Sequence, residues 1–264
     1  MKKILLFLLA GLISINLSAQ TKKSVNKSPK GYIICLSTEH EEKLKQKFKR
    51  ASVGQFVTWM SNESLSLRNK GANRISAVRT IPVVIHIINR GEAVGTGTNI
   101  SDAQVISQIT SLNNDYRKKA GTKGYNTNPV GADTNIEFAL AVRDPNGNPT
   151  NGIHRVSYDK EFWQESEIEN NLKPNTIWDP TKYLNLWVVN FGGDLRGILG
   201  YAQFPVGSTL NGLDDLGLAS TDGVIIGYKF FGSLDYNVGS FNLDPIYGYG
   251  RTATHEIGHW LVLR

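Results

Sequence analysis

One cysteine, Cys35, is all that this 264-residue chain contains, so no internal disulfide can form. A lone thiol in an exported protein points to an intermolecular partner or a special role. Beyond the first twenty residues, no apolar stretch is long enough to cross a bilayer. No internal repeat is visible. A nucleic-acid footprint is missing too, although the net charge is +6 and the pI about 9.3. The positive charge is confined to one end. Residues 20–79 carry 13 Lys or Arg against 4 Glu, whereas residues 80–264 carry 14 against 19 Asp or Glu. A basic leader precedes an acidic body. The two can be a solvated tail and its domain, or a pro-segment docked by charge complementarity.

What is present at the start is an export signal. Lys2 and Lys3 precede an apolar run from Ile4 to Ile15, and small residues surround Ala19. The run is short for a membrane span and fits a cleaved signal peptide over residues 1–19. No cysteine stands at a lipoprotein position. The expected location is therefore secreted, extracellular or periplasmic, with no membrane insertion after the signal is removed. Residues 20–31 are rich in Lys, Ser and Asn. From about His40 to Met60 apolar residues recur at helical spacing. Residues 61–79 return to Ser, Asn, Arg and Gly, a linker with Arg68, Arg74 and Arg79 as processing points.

The character changes at Ile81. Ile81–Asn89 is β-branched and almost wholly apolar, the pattern of a buried strand. Ser101-Asp102-Ala103-Gln104 is a capping box. It opens a helix to about Lys119, with Val105, Ile106, Ile109, Leu112 and Tyr116 on one face. Further strands are expected at Asn135–Arg143, Tyr183–Asn190, Leu199–Phe204 and Gly223–Lys229, with a loop-rich or helical excursion from the Asp144-Pro145-Asn146-Gly147 turn to Asn175. This order implies an α/β (α+β) layer, a twisted mixed sheet with helices packed on it.

Near the end comes the run Thr252-Ala253-Thr254-His255-Glu256-Ile257-Gly258-His259-Trp260-Leu261. It contains H-E-x-x-H, the pattern of a zinc peptidase. Positions i and i+4 share one helix face, so His255 and His259 can reach one metal. Glu256, one residue round the helix, can take a proton from water held there. A catalytic zinc normally needs three protein ligands.

Three runs carry a wider resemblance: Ile81–His86, Trp178–Val188 and Gly250–Leu261. Leu199–Pro205 and Thr221–Val224 add to it. Together they are similar to the pappalysin family of metzincin metallopeptidases, over about residues 80–264. The resemblance implies a signal peptide (1–19), a pro-segment (20–79) and the upper part of a metzincin catalytic domain (80–264), with a backing helix and an active-site helix. It makes His255 and His259 zinc ligands and Glu256 the general base in hydrolysis of protein or peptide substrates. The family pattern places a third His one residue beyond Arg264 and a left-handed Gly or Asn where this chain has Val262, a β-branched residue that tolerates such a turn poorly. The expected consequence is a 264-residue form that is inactive or weakly active. The reading from another class is a non-catalytic, secreted peptide-binding pseudo-enzyme.

Other residues are weighed beside these. Metzincin relatives often stay latent by aiming a pro-segment side chain at the zinc, sometimes a Cys. Cys35 is thus either such a latency ligand or a small buried apolar residue. His86 reads as a core histidine, while His40 and His154 lie in polar surroundings and receive no role. Asp214, Asp215, Asp222 and Asp244 could offer oxygens to Ca2+, but no EF-hand spacing appears and solvated turns explain them as well. Leu199, Gly200, Tyr201, Ala202, Gln203 and Phe204 form a candidate sheet edge for binding an extended peptide by strand addition.

Overall fold

The computed structural model describes residue 28, residues 31–48, a few positions between 58 and 69, and residues 77–203 and 216–263. The signal sequence, Met60, Arg68, Arg74, Phe204, Asp214 and Asp215 lie outside the described residues. The elements are α1 (Ser37–Phe48), β1 (Arg79–Asn89), α2 (Asp102–Tyr116), β2 (Ile136–Leu140) and β3 (Ile153–Ser157). A helical insertion follows, made of α3 (Glu165–Glu167), a π turn (Ile168–Leu172) and α4 (Lys173–Thr176). Then come β4 (Leu184–Val189), β5 (Gly200–Ala202), β6 (Val224–Gly227) and α5 (Arg251–Trp260).

The strands form one six-stranded sheet in the order β2-β1-β4-β6-β5, with β3 also paired to β1. All pairings are parallel except β5 with β6. β2 and β3 share one side of β1, end to end: Arg79–Val83 pairs with Ile136–Leu140, and Ile85–Asn89 with Ile153–Ser157. Strands buried on both faces read as unbroken apolar runs. Ile85 and Ile87 of β1, and Leu186, Trp187, Val188 and Val189 of β4, are fully buried. Each such aliphatic side chain contributes roughly 1.5–3 kcal/mol of burial.

Two apolar layers flank the sheet. Val83, Ile85, Leu186, Val188 and Ile226 pack with α2 and α5 through Val105, Leu112, Ala253 and Ile257. On the opposite face Trp187, Val189, Tyr201 and Ile225 pack with Ile168 and Leu172 of the insertion and with Leu36 ahead of α1.

The structure corrects several expectations. Ile153–Ser157, expected as loop or helix, is a strand, because β1 is long enough to pair two successive partners on one side. The Ser101 cap is present, its hydroxyl accepting from Gln104 N at 3.2 Å. Ile106, expected on the buried face, is exposed. Gln104, Ser107, Gln108 and Ser111 are buried in its stead. They serve the chain leading to α5: Gln104 Nε2 donates to Phe231 O, Gln108 Nε2 to Gly250 O, and Ser233 N to Ser107 Oγ. A buried polar face of this kind is favourable only when its donors and acceptors are matched.

Candidate active site

Helix α5 carries the H-E-x-x-H residues, and its start is set by close approach to α2. Gly250 has φ +78°, and a Cβ there would lie 2.4 Å from Ser111 Oγ. Asp115 of α2 then holds the first turn, accepting from Thr254 Oγ1 at 2.7 Å and pairing with Arg251. Tyr116 OH donates to Thr254 O at 3.1 Å.

The helix ends on Val262, with φ +72°. Val262 N–H donates to His259 O and Leu263 N–H to Gly258 O, both at 2.8 Å. This is a Schellman cap, and it forms although valine disfavours it. The expectation that Val262 opposes the turn is corrected: the two cap bonds and packing of the last turn outweigh a strain of about 1–2 kcal/mol. Val262→Gly is therefore expected to stabilise the chain by roughly 1 kcal/mol, read as a higher urea midpoint. An unchanged or lower midpoint would contradict the strain.

The cap also fixes a histidine. His259 Nδ1 faces Leu263 O at 2.9 Å, so Nδ1–H donates and the Nε2 lone pair is free to point across the face. His255 Nε2 lies 3.1 Å from it. Two imidazole nitrogens bound tetrahedrally to one zinc would stand about 3.3 Å apart. The donor set thus suits zinc. Burial, then the neighbouring His259, lowers the His255 pKa, which favours the neutral form a metal requires.

Cys35 comes to this point from 221 positions before Glu256. Its Sγ is 3.5 Å from Glu256 Oε2. Cys35, His255, Glu256 and His259 place one ligand atom each within 4.8 Å of one another. Among the two readings of Cys35, half-buried against the helix, the structure places the thiol at the cluster. Glu256 is fully buried, and its Oε2 accepts from Ser37 Oγ at 2.8 Å. Burial first, then Cys35, pushes its pKa well above the usual carboxylate range.

Ser37 was missed from sequence, having no motif. Its hydroxyl also accepts from Ala202 N at 2.8 Å, so it joins Glu256 to the β5 edge. Residues 33–37 lie along that edge: Ile33 pairs parallel with Ile198, Leu199 N donates to Ile33 O and Leu36 N to Gly200 O. Gly200 permits the approach, since a Cβ would lie 3.2 Å from Glu256 Cγ and 2.7 Å from Ile226 Cδ1. Of the expected edge, Gly200–Ala202 is strand, while Leu199 and Gln203 flank it.

The other histidines stand elsewhere. His86 is buried in the sheet as expected. His154 is half-buried on β3, its Nδ1 2.9 Å from His86 Nδ1, and not in simple polar surroundings. His40 does stand among polar groups, beside Glu165 and Glu169, but it is buried, 2% accessible, and also packs against Tyr201. Asp222 is buried and accepts from Trp260 Nε1 at 2.8 Å, so a solvated turn does not describe it. Asp244 Oδ1 accepts from Ile246 N and Tyr247 N, as a turn carboxylate does. Among the described residues no helix is long and apolar enough to cross a membrane.

No family model matches the chain. It is 28% identical over 192 residues to an extracellular metalloprotease of Pyricularia oryzae, covering 73% of this chain and 52% of that protein. An extracellular metalloprotease of Uncinocarpus reesii is 27% identical over 191 residues. This chain thus spans about half the length of the curated relatives it matches. Among solved structures, mature mirolysin of Tannerella forsythia with a cleaved peptide is 42% identical, with a TM-score of 0.57. That match covers 72% of this chain and 65% of the other. A promirolysin variant from the same organism is 36% identical, with a TM-score of 0.63, covering 87% of this chain and 69% of that one.

Proposed function

From the premise that this chain belongs to the mirolysin-like, pappalysin-type metzincin metallopeptidases, we propose that it is the latent form of a secreted zinc endopeptidase. The observation that carries this reading is the convergence of Cys35, His255, Glu256 and His259 within 4.8 Å. His255 Nε2, His259 Nε2 and Cys35 Sγ are the atoms that would hold zinc, a soft-to-borderline ion suited to imidazole and thiolate. Zinc, when bound, supplies a Lewis acid that polarises a peptide carbonyl and acidifies water.

The remaining chemistry belongs to the chain. Glu256 Oε takes the proton of the attacking water and returns it to the leaving amine. Its burial raises its proton affinity, which suits a group that must hold a proton between two steps. The β5 edge, flanked by Leu199 and Gln203, binds the substrate backbone as an added strand. In this chain residues 33–37 occupy that edge. Ser37 holds Glu256 while Cys35 takes a ligand position. Latency therefore has three points of contact. With residues 33–37 in place on the edge and at the cluster, this form turns over peptide slowly or not at all.

The pro-segment reading of residues 20–79 is supported by the coverage of the relatives. The pro form of mirolysin matches 87% of this chain and the mature form 72%. Limited trypsin digestion is expected to cut first at Arg68 or Arg74 and to leave a stable body starting near Ile81. Arg79 opens β1, its N–H bonded to Asn135 O at 2.8 Å, which argues against cleavage there. Initial cuts within 100–200 would refute the division. Assaying the product with a peptide library tests the activity: it should rise once residues 33–37 leave, and Glu256→Gln should remove it.

A further inference from the structure

Away from the metal cluster, α1 inserts a second group into the body. His40 is 2% accessible. Its Nδ1 lies 3.2 Å from Glu165 Oε1, and its Nε2 lies 4.0 Å from Glu169 Oε2. Both ring nitrogens thus face carboxylates, and Nε2 has no hydrogen-bond partner. Lys43, one turn on along α1, pairs with the other oxygen of Glu165. The ring of Tyr201 closes the space, its centroid 4.9 Å from that of His40.

The body builds this recess with unusual means. Glu165 and Glu169 sit on either side of the junction between α3 and the π turn, and such turns recur at functional sites. Glu169 is already matched within the body: Lys173 Nζ, fully buried, lies 2.6 Å away, and Tyr201 OH donates at 2.8 Å. Glu165 differs. Among the described residues its basic partners are His40 and Lys43, both from α1, while its own N–H donates to Asp194 Oδ1. Burial alone would raise its carboxyl pKa, yet the hydrogen bonds from His40 and Lys43 hold it at about 2. A largely buried carboxylate whose basic partners come from a separable segment is left open to a cation when that segment withdraws.

We propose that Glu165, Glu169 and Tyr201 form a socket for basic peptide side chains, filled in this chain by His40 and Lys43. The socket anchors α1 independently of the metal and so holds Cys35 and Ser37 at Glu256. This rests on the reading of residues 20–79 as a pro-segment. The ligand class is an imidazole or ammonium group on a short helical peptide, spaced three residues apart as His40 and Lys43 are.

The single cysteine makes the test direct, because any thiol label reports on Cys35. Labelling rates of metal-free, full-length protein are measured with a disulfide reagent at fixed pH, against the urea-unfolded chain. Wild type should be protected. His40→Ala and Glu165→Gln should label on the order of tenfold to a hundredfold faster, and Lys43→Ala, at an exposed position, severalfold faster. Added imidazole should slow labelling of His40→Ala but not of the His40→Ala/Glu165→Gln double variant. Should His40→Ala not fold, Lys43→Ala and Glu165→Gln still decide. Wild-type rates in these variants, or no response to imidazole in a folded His40→Ala, overturn the socket while leaving the pro-segment reading intact. A wild-type Cys35 as reactive as in the unfolded chain overturns both.

Discussion

His255→Ala and His259→Ala are each expected to reduce bound zinc from about one per chain to near zero after dialysis. The two Nε2 atoms stand 3.1 Å apart, so removing either leaves one imidazole and one thiol. Even disturbing the hydrogen-bond partner of a ligand costs roughly 10–100-fold in affinity, and losing the ligand costs more. Cys35→Ser should lower zinc retention without abolishing it, since the imidazoles remain. Glu256→Gln should keep the metal, because in this reading Glu256 serves water. Metal analysis of the four variants separates these roles. A Glu256→Gln protein as empty as the histidine variants would make Glu256 a ligand and refute the assignment.

The second large effect is acid sensitivity set by the buried pair His86 and His154. Asn185 donates from Nδ2 to Trp178 O and accepts at Oδ1 from Trp178 N, so its Oδ1 must accept from His86 Nε2–H. His86 Nδ1 is then an acceptor, filled by His154 Nδ1–H. Trp187 stacks on the ring at 5.1 Å. A proton added to His86 would set two N–H groups against each other in a fully buried site. Burial first, with His154 adding to it against the Asn185 bond, lowers its pKa to about 3. In the unfolded chain the value returns to about 6.5. The unfolded state therefore binds the proton first as pH falls. Stability from this group is complete above about pH 6.5 and declines towards about pH 3, by up to about 5 kcal/mol in total. Burial also lowers the His154 pKa, acting in the same direction. Urea midpoints between pH 6.5 and 4.5 should fall for wild type and much less for His86→Gln. A flat wild-type profile over that interval would refute the neutral pair.

What could be read from sequence, and what could not, divides by range. His255, Glu256 and His259 were legible because helix geometry alone brings i and i+4 together. β1 and β4 were legible because a strand buried on both faces has no polar side to show. β3 was not: Ile153-His154-Arg155-Val156-Ser157 is only partly buried, and its pairing depends on the length of β1. The polar face of α2 was invisible, since Gln104 and Gln108 are satisfied by backbone more than 120 residues away. The same holds for His40, whose partners lie on the insertion, and for Ser37, whose contact with Glu256 spans 219 positions. Cys35 could be nominated by chemistry and resemblance, but not located. Val262 was judged by its intrinsic preference, which the Schellman cap overrides.

The contacts made by Cys35, Ser37 and His40 have a further meaning because their segment is tethered to the body it occupies. While the backbone is intact, the segment competes for its groove as an intramolecular ligand, at an effective concentration on the order of millimolar. A single cut in residues 49–78 changes no contact at the cluster, yet makes the same segment a separate molecule. Its occupancy then falls with dilution. Under the proposed pro-segment reading, cleavage and activation are distinct events, and the protein concentration in the surroundings sets how much of the cleaved segment stays bound.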